Sequence, residues 1–408
     1  MTAKILVVVG TRPEGIKMAP VVRALRRSNC LQPVLVSTGQ HRQMLDQTLA
    51  VFGLKPDLDL DLMRPGQTLD EVTSRAVLGM REIIQQHRPA WVLVQGDTTT
   101  AFAAALAAFY QKVPVGHVEA GLRSGERYSP FPEEINRKLI DQLSELLFAP
   151  TQQAAELLMA EGYARSQISV TGNTVVDALL TAREVARARG GGVPGLPEEL
   201  LAHRRMVLVT LHRRESFGEP LEGMCHALRR IVRECPDVVL VYPVHLNPQV
   251  REPVHRLLGG EERIVLLPPV GYLDFITLME RASLILTDSG GIQEEAPTFG
   301  KPLLVLREVT ERPEGVAAGV ARLVGTSPTR IHEETVGLLR DPARFAAMAR
   351  GHNPYGDGHS AERITHHLVA RVGERDQADA LAPSIPNRTT AVSLAGRRHE
   401  LEETNPTV

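Results

Sequence analysis

Seven polar residues stand where short apolar runs give out: Arg12, Gln40, Asp97 and Glu119 in the first half of the 408-residue chain, and His212, His245 and Ser289 in the second. Carboxylates in such places suit general acid and base work, because partial burial lifts their proton affinity toward neutrality. Guanidinium and ammonium groups, and helix starts made of small residues, suit phosphate oxygens. A polar residue at a strand end is also an ordinary cap or turn former. Recurrence across both halves favours functional groups projected from the carboxyl edges of two sheets.

Each stretch has its own chemistry. Gly10-Thr11-Arg12-Pro13-Glu14-Gly15-Ile16-Lys17 lacks the spacing of a Walker loop or a dinucleotide fingerprint, yet offers Arg12 and Lys17 to a diphosphate. Asp97 reads either as a general base or as the cap of the helix that follows. Glu119 ends an apolar run and reads either as a desolvated acid or base, or as the ion-pair partner of Arg123. Glu133 and Glu134 follow a Pro-Phe-Pro helix start, and Arg137 is placed for an ordinary surface pair with Glu133.

In the second half, His212-Arg213-Arg214 forms a cationic cluster suited to phosphate oxygens or to pairing with Glu215. His245 is either a ligand contact or a satisfied histidine at a strand end. Thr287-Asp288-Ser289-Gly290-Gly291 reads as a strand running into a helix N-terminus, where phosphate is favoured. Glu294 and Glu295 follow one turn later, where a carboxylate can accept two hydrogen bonds from a ribose diol. Arg312 adds a cation beyond the last strand. No His, Cys or Asp group has metal-ligand spacing, and no nucleophile motif appears.

The elements that must hold these residues alternate between strand and helix. The first series places strands at 4–9, 34–37, 91–94, 113–118, 146–149 and 168–171. Its helices lie at about 14–27, 41–52, 68–86, 100–110 and 132–147, then from 151, with another reaching about 189. The second places strands at 206–210, 238–242, 264–267, 284–287 and 303–306, with helices at 219–235, 247–258, 272–282 and 331–340. Such alternation predicts an α/β chain with two parallel sheets, covered on both faces and carrying ligands at their carboxyl edges. The boundary falls near residue 170. Residues 190–197, rich in Gly and Pro, read as a surface loop; a final helix covers 359–372, and 374–408 read as a disordered tail.

Composition narrows the classes. A chain of 408 residues suits two domains, and 43% hydrophobic with 23% charged residues suits packed cores. A formal net charge of −2 argues against a broad nucleic-acid footprint. Three cysteines, Cys30, Cys225 and Cys235, form no disulfide or metal framework. The first apolar run, Ile5 to Val9, is too short for a signal core or a membrane span, so the expected location is the cytoplasm with no membrane partner.

Taken together, nine stretches resemble the bacterial, non-hydrolysing UDP-N-acetylglucosamine 2-epimerase family. They are GTRPEGIKMAP from Gly10, TGQHRQMLDQ from Thr38, QGDTTT from Gln95, GHVEAGLRSGERYSPFPEEINR from Gly116 and TGNTVVDAL from Thr171. HRRESFG from His212, YPVHLNP from Tyr242, TDSGGIQEEAP from Thr287 and TERPEG from Thr310 complete the set. The match runs from Gly10 to about Arg371.

The resemblance implies two Rossmann-like domains facing across a cleft in the GT-B arrangement. The first would be 1–170, completed by the helix at about 359–373, and the second, UDP-binding one 171–358. The implied reaction interconverts UDP-N-acetylglucosamine and UDP-N-acetylmannosamine by eliminating UDP to 2-acetamidoglucal and adding it back, with no cofactor. Asp97, Glu119, Glu133 and His212 would do the chemistry. Arg12, Lys17, Ser289, Gly290 and Arg312 would hold the diphosphate, and Glu295 the ribose. A second, activating substrate molecule would touch Gln40, His41, Gln43, Glu133, Arg213 and His245, although Gly66 stands where some relatives carry arginine. A homodimer is also implied. The rival readings are a GT-B glycosyltransferase, which needs an acceptor, and a sugar-nucleotide sensor without catalysis.

Overall fold

The computed structural model describes residues 2–39, 42–64 and 66–381, without the side chains of 42, 43 and 375–381. The chain begins with β1 (Ala3–Val9), α1 (Arg12–Arg27), β2 (Leu31–Ser37), α2 (Arg42–Val51) and β3 (Leu58–Asp59). It continues through α3 (Leu69–His87), β4 (Trp91–Gln95), α4 (Thr99–Tyr110), β5 (Val115–Val118), α5 (Glu133–Leu143) and β6 (Leu146–Ala149). Then come α6 (Gln152–Ala160), β7 (Ile168–Val170) and α7 (Thr174–Ala188).

A second series follows: α8 (Glu198–Leu201), β8 (Arg205–Thr210), α9 (Glu219–Glu234), β9 (Val238–Pro243), α10 (Pro248–Leu258) and β10 (Ile264–Leu267). Next are α11 (Tyr272–Arg281), β11 (Leu284–Thr287), α12 (Gly290–Glu295), β12 (Leu303–Val305), α13 (Pro313–Ala317) and β13 (Ala321–Leu323). The chain closes with α14 (Pro328–Arg340), α15 (Pro342–Ala349) and α16 (Ser360–Leu381).

Two parallel sheets result, in the orders β3-β2-β1-β4-β5-β6-β7 and β10-β9-β8-β11-β12-β13. Their central strands are continuous apolar runs because both faces are covered: Ile5 to Val9, Val207 to Val209 and Leu284 to Leu286 are all buried. The strand order reverses between β1 and β4 in one sheet and between β8 and β11 in the other. At such switch points the loops leave in opposite directions and open a crevice. The segments following these four strands begin at Gly10, Gly96, Leu211 and Asp288.

The turn after β1 is fixed from within. Thr11 caps α1 in a capping box, and Glu14 Oε2 accepts from the backbone N–H of Gly10 at 2.8 Å and of Thr11 at 2.6 Å. The other Glu14 oxygen accepts from Thr98 Oγ1 at 2.6 Å, tying the β1 turn to the β4 turn. Gly10 must be glycine here, since a Cβ would lie 2.4 Å from Thr38 Oγ1. One buried carboxylate thus sets the approach of both Arg12 and Asp97.

Several boundaries differ from the sequence reading. The α5 helix stops at Leu143 instead of 147 because Ser144 turns extended ahead of β6. The short edge strands β3 and β13 have too few residues for a periodic signal. The 190–197 loop puts Val193 and Leu196 into the core, so it is not wholly superficial. The last helix runs past Val372 to Leu381, because the Glu, Arg, Gln and Ala of 374–381 are helix formers that need no apolar stripe. The remainder of the expected tail, 382–408, lies outside the described residues. Among the described residues no helix is long and apolar enough to cross a membrane.

The α16 helix returns to the first sheet. Asp177 of α7 accepts from the N–H of Ala361 at 2.9 Å at its start, and His367 lies 6.2 Å from the Phe148 ring of β6.

Candidate active site

From β8 the chain passes into Leu211-His212-Arg213, and this turn is held by a carboxylate the sequence reading did not single out. Asp288, fully buried at the end of β11, accepts from the N–H of His212 and of Arg213, each at 2.9 Å. The His212 ring stacks on His245 at 5.8 Å between centroids. Burial pushes the His212 imidazole down in pKa; Asp288 opposes this while Arg213 and His245 add to it. Arg213 lies against the start of α12, where a Cβ on Gly290 would be 3.4 Å from its Nη2.

The first-half carboxylates are held differently. Glu119 leaves β5 with φ of 73°, a left-handed conformation that is costly for a residue with a Cβ. It does not pair with Arg123, which instead meets Asp141 at 2.7 Å and Glu161 at 2.6 Å. Lys17 Nζ reaches both Glu119 oxygens at 2.7 Å, and Gln95 Nε2 donates to one of them. Burial still raises the Glu119 carboxyl above its usual range, with Glu294 adding to the effect and Lys17 opposing it.

Asp97 is not the helix cap, because Thr98 takes that role through Ala101 N–H at 3.1 Å. The Asp97 carboxylate binds Arg137. Arg137 turns to Glu134 at 3.2 Å and to Asp97 rather than forming the surface pair with Glu133. One oxygen of Glu133 is buried without a partner.

The two sheets meet through charge. Glu294 accepts from Lys17 at 3.3 Å, from Asn173 Nδ2 at 3.1 Å and from Arg312 Nε. Lys17 and Arg312, expected as free cations for a diphosphate, are therefore already paired with carboxylates. The reason is desolvation: neither charge tolerates burial alone. Burial opposes ionisation of Glu294, but Lys17 and Arg312 outweigh it and hold its pKa down to about 2. Glu295 points elsewhere, since adjacent residues on a helix diverge. Burial, with Glu294 close by, pushes its carboxyl up to about 7.

A cavity of about 660 Å³ lies between the sheets. Arg12, Lys17, His212, His245, Ser289, Glu295 and Arg312 line it, together with Tyr272 and Phe275. Arg12 lies over the Tyr272 ring at 5.8 Å. Asp97, Glu119, Glu133, Gly290 and Arg213 are not among its lining residues. Glu119 reaches it through Lys17, and Arg137, the partner of Asp97, lines a smaller pocket that shares Arg312 with it. Gln40 and His41, and the side chain of Gln43, lie outside the described residues. Asp288, Glu294, Gln95 and Arg137 were missed as site residues. Only the Glu294-Glu295 doublet gave a signal, and it was read for ribose.

Residues 23–369 match the model of the UDP-N-acetylglucosamine 2-epimerase family. The chain belongs to that family. An Escherichia coli K12 relative, called UDP-N-acetylglucosamine 2-epimerase, is 52% identical over 372 residues, covering 90% of this chain and 98% of its own. A crystal structure described as a putative family member from Listeria monocytogenes superposes with a TM-score of 0.84 at 47% identity, over 92% of this chain and 98% of that one. The Neisseria meningitidis UDP-GlcNAc 2-epimerase, solved bound to UDP-GlcNAc, gives 0.81 at 44% identity, over 90% and 100%. The epimerase fold is thus the GT-B-like pairing of two parallel-sheet α/β units expected from the sequence.

Proposed function

We propose that this epimerase interconverts UDP-N-acetylglucosamine and UDP-N-acetylmannosamine by losing UDP and adding it back to a 2-acetamidoglucal. The observation that carries the reading is that Arg12, Lys17, His212, Ser289 and Arg312 line one cavity between the sheets, while Lys17 ties that cavity to the raised carboxylate of Glu119. The hydrogen at C2 has no adjacent carbonyl and is weakly acidic, so a carboxylate alone removes it slowly. As the C1–O bond breaks, oxocarbenium character makes that hydrogen acidic, and stabilising the departing diphosphate becomes half of catalysis.

Arg12, Lys17, Arg312, Ser289 and Gly290 hold the diphosphate and Glu295 the ribose. On binding, phosphate oxygens replace carboxylates as partners of Lys17 and Arg312, which frees Glu119 to carry a proton. Asp97, Glu119 and Glu133 serve the sugar, and His212 serves the C1–O bond. Residues 1–170 with the helix at about 359–373 form one closing body and 171–358 the other, and their closure excludes water from the glucal. A second substrate molecule as activator beside Arg213 and His245, a homodimer and a cytoplasmic location belong to the same proposal.

The test is positional isotope exchange. Substrate labelled with ¹⁸O in the bond between C1 and the β-phosphate is incubated without acceptor, and recovered UDP-sugar is read by ³¹P NMR. Label moving to non-bridging positions supports departure and return of UDP. Unmoved label alongside C2 inversion contradicts the elimination route, and label loss only with an added acceptor points to a glycosyltransferase.

A further inference from the structure

His117 and Asp141 lie beneath the site, each fully buried and neither assigned a role above. His117 Nδ1 is 2.5 Å from Asp141 Oδ1, and its Nε2 is 2.7 Å from the carbonyl oxygen of Gly96. A carbonyl oxygen only accepts, so Nε2 bears the hydrogen. Asp141 is itself fixed by Arg123 through its other oxygen at 2.7 Å.

Gly96 is the residue before Asp97, and its φ of 71° makes the loop turn sharply. Its carbonyl belongs to the peptide plane on the N-terminal side of Asp97. The plane on the C-terminal side is pinned as well, because Asn136 Nδ2 donates to the Asp97 carbonyl at 2.9 Å. Both peptide planes flanking the Asp97 Cα are therefore held by side chains, and Arg137 holds the carboxylate tip. Both ring nitrogens of His117 are satisfied, and the partner of Nε2 is the peptide that leads directly into Asp97. Asp141 grips the ring at Nδ1 and is itself gripped by Arg123, which adds to the rigidity.

We propose that His117, mounted on Asp141, is a positioning residue that sets the backbone of Asp97 and so aims its carboxylate at the sugar. This rests on the catalytic reading of Asp97 given above. Misplacing a reacting group by about 1 Å can cost about a hundredfold in rate.

The test compares two substitutions and a cycle. His117→Gln keeps an N–H where Nε2 donates to Gly96, whereas His117→Asn keeps one only on the Asp141 side. His117→Asn is expected to lower kcat about a hundredfold with little change in KM. His117→Gln is expected to retain most of kcat, even where both variants lose similar thermal stability. In the background of Asp97→Asn, His117→Asn is expected to cost almost nothing further, since its route to the chemistry is already gone. Equal kcat losses in the two His117 variants, or a full additional loss in the Asp97→Asn background, overturn the proposal. Wild-type kcat in Asp97→Asn alone overturns the role of Asp97 itself and is recognised by that single variant.

Discussion

Glu119 illustrates how one side chain is held between opposing effects. Burial raises its proton affinity and Lys17 lowers it, so moving Lys17 to a phosphate group tips the carboxylate toward carrying a proton. Glu119→Gln is expected to lower kcat by about 10² to 10⁴, the usual worth of a positioned acid or base, with UDP affinity little changed; turnover and calorimetry check both. Glu295 gives a pH dependence. Its pKa of about 7 against an ordinary 4.5 means the ligand-free native state binds more protons between these values, so its contribution to stability falls as pH rises through that window. Ribose hydroxyls prefer the ionised carboxylate, so UDP affinity is expected to rise with pH up to about 7 and level off, and Glu295→Gln to flatten the trend. The sequence made Glu119 visible by its place after an apolar run. It could not show the left-handed backbone there, nor that Lys17 rather than Arg123 is the partner, because that pairing spans 102 residues.

Among the elements, the turns after β8 and β11 depend on each other. Asp288 accepts two backbone N–H groups from the His212 turn, so Asp288→Ala leaves two part-buried donors without this acceptor, at up to about 1–3 kcal/mol each. Denaturant unfolding is expected to show that loss, and kcat to fall with it because His212 is no longer aimed. The alternation of strand and helix was legible because strands covered on both faces are continuous apolar runs. The two-residue β3 carries no period, and the extension of α16 past Val372 rests on helix propensity without an apolar stripe. Asp288 was invisible as a structural acid because its partners are backbone groups 75 and 76 residues away.

At the scale of the molecule, Lys17, Glu119, Glu294 and Arg312 form one charge cluster that joins the two sheets. Removing one member strands charge, which costs about 3–5 kcal/mol for a buried pair. Glu294→Ala is expected to lower the unfolding midpoint and to widen the ligand-free protein in small-angle scattering, with UDP reversing much of the widening. Two sheets with ligand-bearing carboxyl edges could be read from the sequence, but the charge bridge across the crevice could not, since it joins residues 277 apart. The central claim is that C2 loses and regains its proton while UDP stays bound. It is tested most directly by incubating the protein with UDP-N-acetylglucosamine in deuterated water and following C2 by NMR. The expected result is UDP-N-acetylmannosamine carrying deuterium at C2, formed without acceptor. Product retaining protium at C2, or free N-acetylmannosamine with UDP in its place, would contradict it.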